Sequence, residues 1–174
     1  VNPGQCVQGQ CMSALDRGTA VCPGSYDPVT LGHVDVIERT AEIFERVIVA
    51  VVREPRHKVP TFEIDDRVAF IADAVSHLDN VEIEPFSELV VEFAQRHSAG
   101  VIVKGLRAIS DFEWEFQMNH LNRNLAPDIE TLYLMASAQH SFVSSSSVKE
   151  IAAFGGRVDQ LVSPLVAKRL ADLS

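Results

Sequence analysis

The residues with the clearest chemical potential fall into four short segments. The first is CPGSYDPVTLGH, Cys22–His33, with Ser25, Tyr26, Asp27 and Thr30 between two glycines, Gly24 and Gly32, and His33 immediately after the second. Glycines there allow a tight turn and a close backbone approach to a ligand. Gly32 and His33 also lie where a helix would begin, and the orphan amides of a helix start favour an anion. The second is the basic connector REPRHKVP, with Arg53, Arg56, His57 and Lys58. The third is KGLRAISDFEWE, Lys104–Glu115, and the fourth is QHSFVSSSSVKE, Gln139–Glu150. Cations, hydroxyls and amides in this mixture suit a ligand that carries phosphate. Neither GxxxxGK[ST] nor GxGxxG occurs in the chain, so the two common phosphate loops are excluded. Taken alone, His33 has two readings, a phosphate contact or a cap on local structure. The serine run likewise reads as a phosphate cradle or as an ordinary polar loop.

A framework is needed to bring the four segments together. The 174 residues suit one domain. A hydrophobic content of 47% excludes intrinsic disorder. The net charge of −9 argues against a general nucleic-acid binder. No apolar run approaches membrane-spanning length. Three cysteines, Cys6, Cys11 and Cys22, match no ligand spacing and fit a reducing cytoplasm. Residues 1–18 are expected to be a disordered or artefactual extension, with Met12 as a sensible start. The domain is expected over 19–174.

Five β-rich runs recur: Thr19–Cys22, Val47–Val52, Val81–Glu84, Val101–Lys104 and Thr131–Met135. Between them, apolar residues recur at helical spacing. Val34, Ile37, Ala41 and Phe44 mark a first helix; Val68, Ile71 and Val75 mark a second over about Ile64–Ser76. A third is expected over Ser87–His97. A fourth follows Ser110, with Glu113 closing a capping box and Phe112, Phe116 and Leu121 on apolar positions. Ser147 and Glu150 offer the same box before a fifth helix, and a last helix follows Pro164 with Leu165 and Leu173. Strands alternating with helices, and a run as uniformly apolar as VIVAVV, predict an α/β fold: a parallel sheet covered on both faces in a single domain. In such a sheet the ligand crevice lies beyond the carboxyl ends of the strands, where the four polar segments fall.

The strand followed by PGSYDPVTLGH resembles the T/HxGH nucleotidyltransferases. VKGLRAISDFEWEFQMNHLNR and HSFVSSSSVKE extend the resemblance to the bacterial phosphopantetheine adenylyltransferases over nearly everything from Thr19 to Leu173. The resemblance implies a Rossmann-like, three-layer fold with five parallel strands. It implies transfer of an adenylyl group from ATP to 4′-phosphopantetheine, with Mg2+ accompanying the nucleotide. It also implies a homo-oligomer, commonly a hexamer, in the cytoplasm, with coenzyme A as a possible feedback ligand. No protein metal ligand is expected, and the net charge and the lack of a long apolar run lead to no expected nucleic-acid or membrane partner.

By the same resemblance His33 contacts the α-phosphate and stabilises the transition state. Ser25 binds the substrate phosphate beside it, and Tyr26 lends its backbone to ATP. Lys104 takes the position of a substrate-binding Arg or Lys. Gly105, Leu106 and Arg107 correspond to an ATP-contacting triplet, with Arg107 the better bidentate phosphate ligand. Glu115 matches a nucleotide-binding glutamate, and Asp111 either orients Arg107 or faces solvent. His140, Ser141, Phe142, Val143, Ser144, Ser145 and Ser146 match the last ATP segment. Val90 aligns with a pantetheine contact and reads equally as a core residue. Lys149 reads as a surface or substrate-end residue.

Two positions depart from the pattern. The family places a lysine two residues past a proline in the basic connector, but here that residue is His57. Lys58 follows, and its flexible stem favours it for the role. His140 stands where Tyr or Trp is usual. Other readings are a nucleotidyltransferase acting on another small molecule, or a nucleotide-binding module without catalysis.

Overall fold

The computed structural model describes residues 15–55 and 59–173. The five expected strands are present as β1 (Asp16–Gly24), β2 (Arg46–Val52), β3 (Val81–Phe86), β4 (Ala99–Leu106) and β5 (Glu130–Met135). They form one parallel sheet in the order β3-β2-β1-β4-β5. The helices are α1 (Leu31–Ile43), α2 (Ile64–Ala74), α3 (Val90–Arg96), α4 (Ile109–Leu125), α5 (Ser145–Ala153) and α6 (Pro164–Ala171). β1 starts three residues before the expected Thr19, because Asp16 pairs with Ala99 of β4.

Val47 to Val51 of β2 are fully buried. Successive side chains point to opposite faces, and each face has its own core. Ala20, Cys22, Val47, Val49, Val51, Val101 and Val103 pack with residues of α1, α2, α5 and α6. Val21, Ile48, Ala50 and Ile102 pack on the other side with Val91, Phe93 and Ala94 of α3. The result is three layers, helices on both faces of the sheet.

Several boundaries differ from the sequence reading. α3 begins at Val90 rather than Ser87, because β3 runs on to Phe86 and the chain then turns; the Leu89 amide donates to the Glu92 carboxylate at 3.3 Å. α4 begins after Ala108, so its cap precedes Ser110. α5 is capped by Ser144, whose hydroxyl accepts from the Ser147 amide at 3.0 Å, so Ser147 lies inside the helix. α6 buries Val166 and Leu170, leaving Leu165 and Leu173 outward. Phe112, Phe116 and Leu121 of α4 are also exposed rather than turned into the core.

The strand order positions the site. From β1 the chain moves outward to β2 and β3, then returns to the other side of β1 for β4 and β5. The carboxyl ends of β1 and β4 therefore flank the switch point, where ligands bind in open α/β sheets. Gly24 ends β1 beneath the Tyr26 ring; a Cβ there would lie 2.8 Å from the ring. Tyr26 is 5% exposed and donates its hydroxyl to the Cys22 carbonyl at 3.0 Å, so it has no room to yield. Gly24→Ala is expected to destabilise by about 1–3 kcal/mol, the usual range for overpacking, measured as a lowered urea midpoint with unchanged slope.

Candidate active site

Two adjoining cavities occupy the switch point. The inner one is walled by the end of β1, the first turn of α1 and the end of β4, including Gly24, Thr30, Lys104 and Val143. The outer one is walled by Ser25, Asp27, Pro55, Pro60, Trp114, Lys149 and Ser144, Ser145 and Ser146. His33, Gly105, Arg107 and Glu115 line both. The imidazole therefore stands at the seam.

Local geometry sets the state of that imidazole. Thr30 is the N-cap of α1, and its backbone N–H donates to His33 Nδ1 at 3.1 Å. A backbone amide only donates, so Nδ1 is the acceptor and the ring proton sits on Nε2. The Thr30 hydroxyl lies 3.0 Å from the same Nδ1. Tyr26 meets the ring edge-on, with centroids 5.2 Å apart. Burial pushes the His33 pKa down to about 4, and the Arg107 charge pushes in the same direction. The two sequence readings of His33 thus hold together, because capping with one nitrogen leaves the other as a neutral donor at the seam. A phosphate brought to Nε2 would favour the protonated ring.

The cations around the seam are each tethered. Arg107 Nε donates to Asp111 at 3.1 Å, and one terminal nitrogen donates to the Val143 carbonyl at 3.0 Å. Asp111 therefore orients Arg107. Lys104 and Glu115, expected to meet different ligands, pair with each other at 2.5 Å. Both remain on the inner wall.

The cytidylyltransferase-like family profile matches residues 21–151. The chain is 54% identical over 151 residues to the phosphopantetheine adenylyltransferase of Gloeobacter violaceus, covering 87% of this chain and 93% of that one. It is 52% identical over 153 residues to that of Synechococcus sp. strain JA-3-3Ab, covering 88% and 96%. It is 51% identical over 153 residues to that of Heliobacterium modesticaldum, covering 88% and 90%. The chain belongs to the phosphopantetheine adenylyltransferases, within the cytidylyltransferase-like family. The fold is shared with a Vibrio parahaemolyticus protein provisionally assigned as a nicotinate-nucleotide adenylyltransferase, at a TM-score of 0.64 and 16% identity over 88% of this chain and 91% of that one.

The remaining expected residues of this adenylyltransferase chain are distributed unevenly. Ser25 lines the outer cavity. Tyr26 is buried at a positive φ of 49°. The Leu106 side chain is buried, and its carbonyl accepts from the Ala136 amide at 2.8 Å. Val90 packs against the core on the α3 side and lines neither cavity. His140, Ser141 and Phe142 lie on the loop before α5, outside both walls, and Phe142 is exposed. The backbone and Cβ of His140 do border Gly32. The Ser145 hydroxyl donates to the Pro28 carbonyl at 2.8 Å, tying α5 to the first polar loop. Arg56, His57 and Lys58 lie outside the described residues.

Sequence reasoning missed the pairing of Asp27 with Lys149 on the wall of the outer cavity, and the buried Arg67. Asp27 accepts from the amides of Thr61 and Phe62 at 3.0 and 2.9 Å, and from Lys149 Nζ at 2.5 Å. Burial opposes its ionisation, yet those donors together hold its pKa below the usual carboxylate value. Lys149 is thus tied to Asp27 rather than left as a surface group. Arg67 is buried and, among the described residues, donates to four backbone carbonyls. Its one sequence signal is placement three and four residues before the buried Phe70 and Ile71, on the apolar stripe of α2.

The depressed pKa of His33 carries a pH sign. Between about pH 6.5 and 4 the unfolded ring binds more protons than the folded ring, so stability falls as pH falls through that window. Denaturant unfolding at stepped pH should show a shallower fall in His33→Gln than in the wild type. Nitrogen-15 NMR of the unliganded protein should show an Nε2–H ring that stays neutral above about pH 5.

Proposed function

We infer that this chain joins ATP and 4′-phosphopantetheine, giving dephospho-CoA and pyrophosphate. The observation that carries the reading is the neutral Nε2–H donor of His33 at the seam of two cavities, each bordered by cations. An oxygen of the acceptor phosphate attacks the α-phosphorus of ATP, and the bond from that phosphorus to the bridging oxygen of pyrophosphate breaks. The acceptor phosphate is already anionic near neutral pH, so no strong general base is needed. What the reaction needs is alignment and relief of negative charge.

His33 Nε2–H would donate to the α-phosphoryl oxygens as charge builds there. Arg107, held by Asp111, supplies a planar fork beside them. ATP is assigned to the side bounded by Gly105–Arg107, Glu115 and the start of α5, whose amides favour phosphate. The acceptor phosphate is assigned to the Ser25 side, near Pro55 and Pro60 on the outer wall. Lys104 would turn from Glu115 toward the incoming phosphates.

Mg2+ supplies charge neutralisation when it arrives with the nucleotide. The described residues hold no cluster of three or more His, Cys, Asp or Glu placed for a metal ion. Asp27, Asp111 and Glu115 are each taken up by a cation. The ion would therefore be held by phosphate oxygens and water rather than by a protein cage. A dephospho-CoA-like ligand such as coenzyme A, which carries both halves of the product, would span both cavities and act as a feedback ligand. The outward Phe112, Phe116, Leu121 and Leu125 of α4, and β5 as an end strand of the sheet among the described residues, support self-association as a homo-oligomer, for which a hexamer is proposed. No helix among the described residues is long and apolar enough to cross a membrane; a cytoplasmic location is proposed.

The decisive assay follows pyrophosphate and dephospho-CoA from ATP, Mg2+ and 4′-phosphopantetheine, with unphosphorylated pantetheine as control acceptor. His33→Ala should fold and lose about 100- to 1000-fold in turnover; a folded variant within threefold of wild type would sink the assignment. Lys58→Ala should weaken acceptor binding with ATP binding little changed. His57→Ala should matter less, and mostly below about pH 6.5, where imidazole becomes charged. If His57→Ala is the crippled variant at both pH 6 and pH 8, the histidine has taken the lysine's place.

A further inference from the structure

Arg67 is 1% exposed, and among the described residues its guanidinium hydrogen-bonds to carbonyls. Its Nε donates to the Phe62 carbonyl at 3.1 Å. One terminal nitrogen donates to the carbonyls of Ser25 at 3.0 Å and Val52 at 2.8 Å, and the other to Arg53 at 2.8 Å. Burial lowers its pKa, while the nearby charges of Asp27 and Glu63 favour the cation. A fixed, planar cation with four neutral acceptors is a costly thing to bury. An aliphatic side chain would fill the space under α2 but leave those four carbonyls without this donor.

What the cost secures is geometry. The four carbonyls belong to three segments: the turn after β1, the end of β2, and the approach to α2. Arg53 and Phe62 are the two stems of the connector that carries Pro55 and Pro60 to the outer wall, and Ser25 forms the facing wall. Thr61 and Phe62 are held from the other side by Asp27. One rigid fork therefore fixes the separation between the Ser25 turn and both stems.

We propose that Arg67 is a positioning residue for the acceptor phosphate, holding the Ser25 turn and the stems of the 53–62 connector at their working separation before any ligand arrives. The proposal rests on the assignment of the acceptor to the Ser25 side. It accounts for a buried cation where packing alone asks for none. Among the described residues Arg67 gives no bond to the side bounded by Gly105–Arg107 and α5, and its one link toward ATP is the Ser25–Tyr26 peptide, so ATP binding should change less than acceptor binding.

The test is steady-state kinetics of Arg67→Gln and Arg67→Lys, with wild type making dephospho-CoA as the control on the functional reading. Both variants should raise KM for 4′-phosphopantetheine, by about tenfold for Gln and at least threefold for Lys, whose ammonium lacks the fork. KM for ATP should stay within threefold. A merely structural role would lower Tm and move both KM values together; that result, or an acceptor KM within twofold of wild type in Arg67→Lys, overturns the proposal. Should neither variant fold, hydrogen exchange on the unliganded wild type decides. The Arg67 Nε–H, which donates to the Phe62 carbonyl, should exchange about 100-fold or more slower than in unstructured chain, and exchange at unstructured rates refutes a preset fork. If wild type makes no dephospho-CoA, the functional reading falls, while the exchange measurement still reports on the staple.

Discussion

The site depends on β1 lying at the centre of the sheet with another parallel strand on each side. That placement forces the chain to leave β1 in one direction and return on the other, which opens a crevice above its carboxyl end. It also buries β1 on both faces, so the strand cannot shift without disturbing two cores at once. Gly24, the Tyr26 ring and the Thr30 cap are consecutive consequences of how the chain must exit that strand. The imidazole is then held by the start of α1, through the Thr30 amide and hydroxyl, and by the edge-on Tyr26 ring.

Charge is handled locally in a chain that is acidic overall. Lys104, Arg107 and Lys149 each sit against one carboxylate at the rim. This arrangement keeps the empty site from carrying a large unbalanced positive charge, while leaving cations within reach when phosphates enter. Arg67 differs, since its partners are neutral carbonyls and its surroundings exclude solvent. The rim thus combines exchangeable ion pairs on the surface of the cavities with one permanent cation beneath them.

The strands and their parallel arrangement were legible because two-sided burial leaves unbroken apolar runs. VIVAVV allows no other comfortable environment. The polar segments were legible because so many hydroxyls and cations at strand ends have no packing purpose. α4 misled, since the periodicity of Phe112, Phe116 and Leu121 reports an apolar face and says nothing about which surface covers it. Helix starts slipped by a few residues where several serines compete as caps. The tie between Asp27 and Lys149 joins positions 122 residues apart, and the Arg67 staple ends on main-chain oxygens. The first leaves no pattern in residue type or spacing and the second only an arginine on the apolar stripe of α2, so the folded chain is needed to expose the partners.

Trp114 is the single tryptophan of the chain and stands more than half exposed on the outer wall, one residue before Glu115. An indole in that position reports directly on its surroundings. Water leaving the outer cavity, or a charged group moving beside Glu115, changes the polarity around the ring without competing emission from another tryptophan. The protein therefore carries a built-in optical probe at the mouth of its own site, and occupancy can be followed in the unlabelled chain by the colour and intensity of its ultraviolet fluorescence.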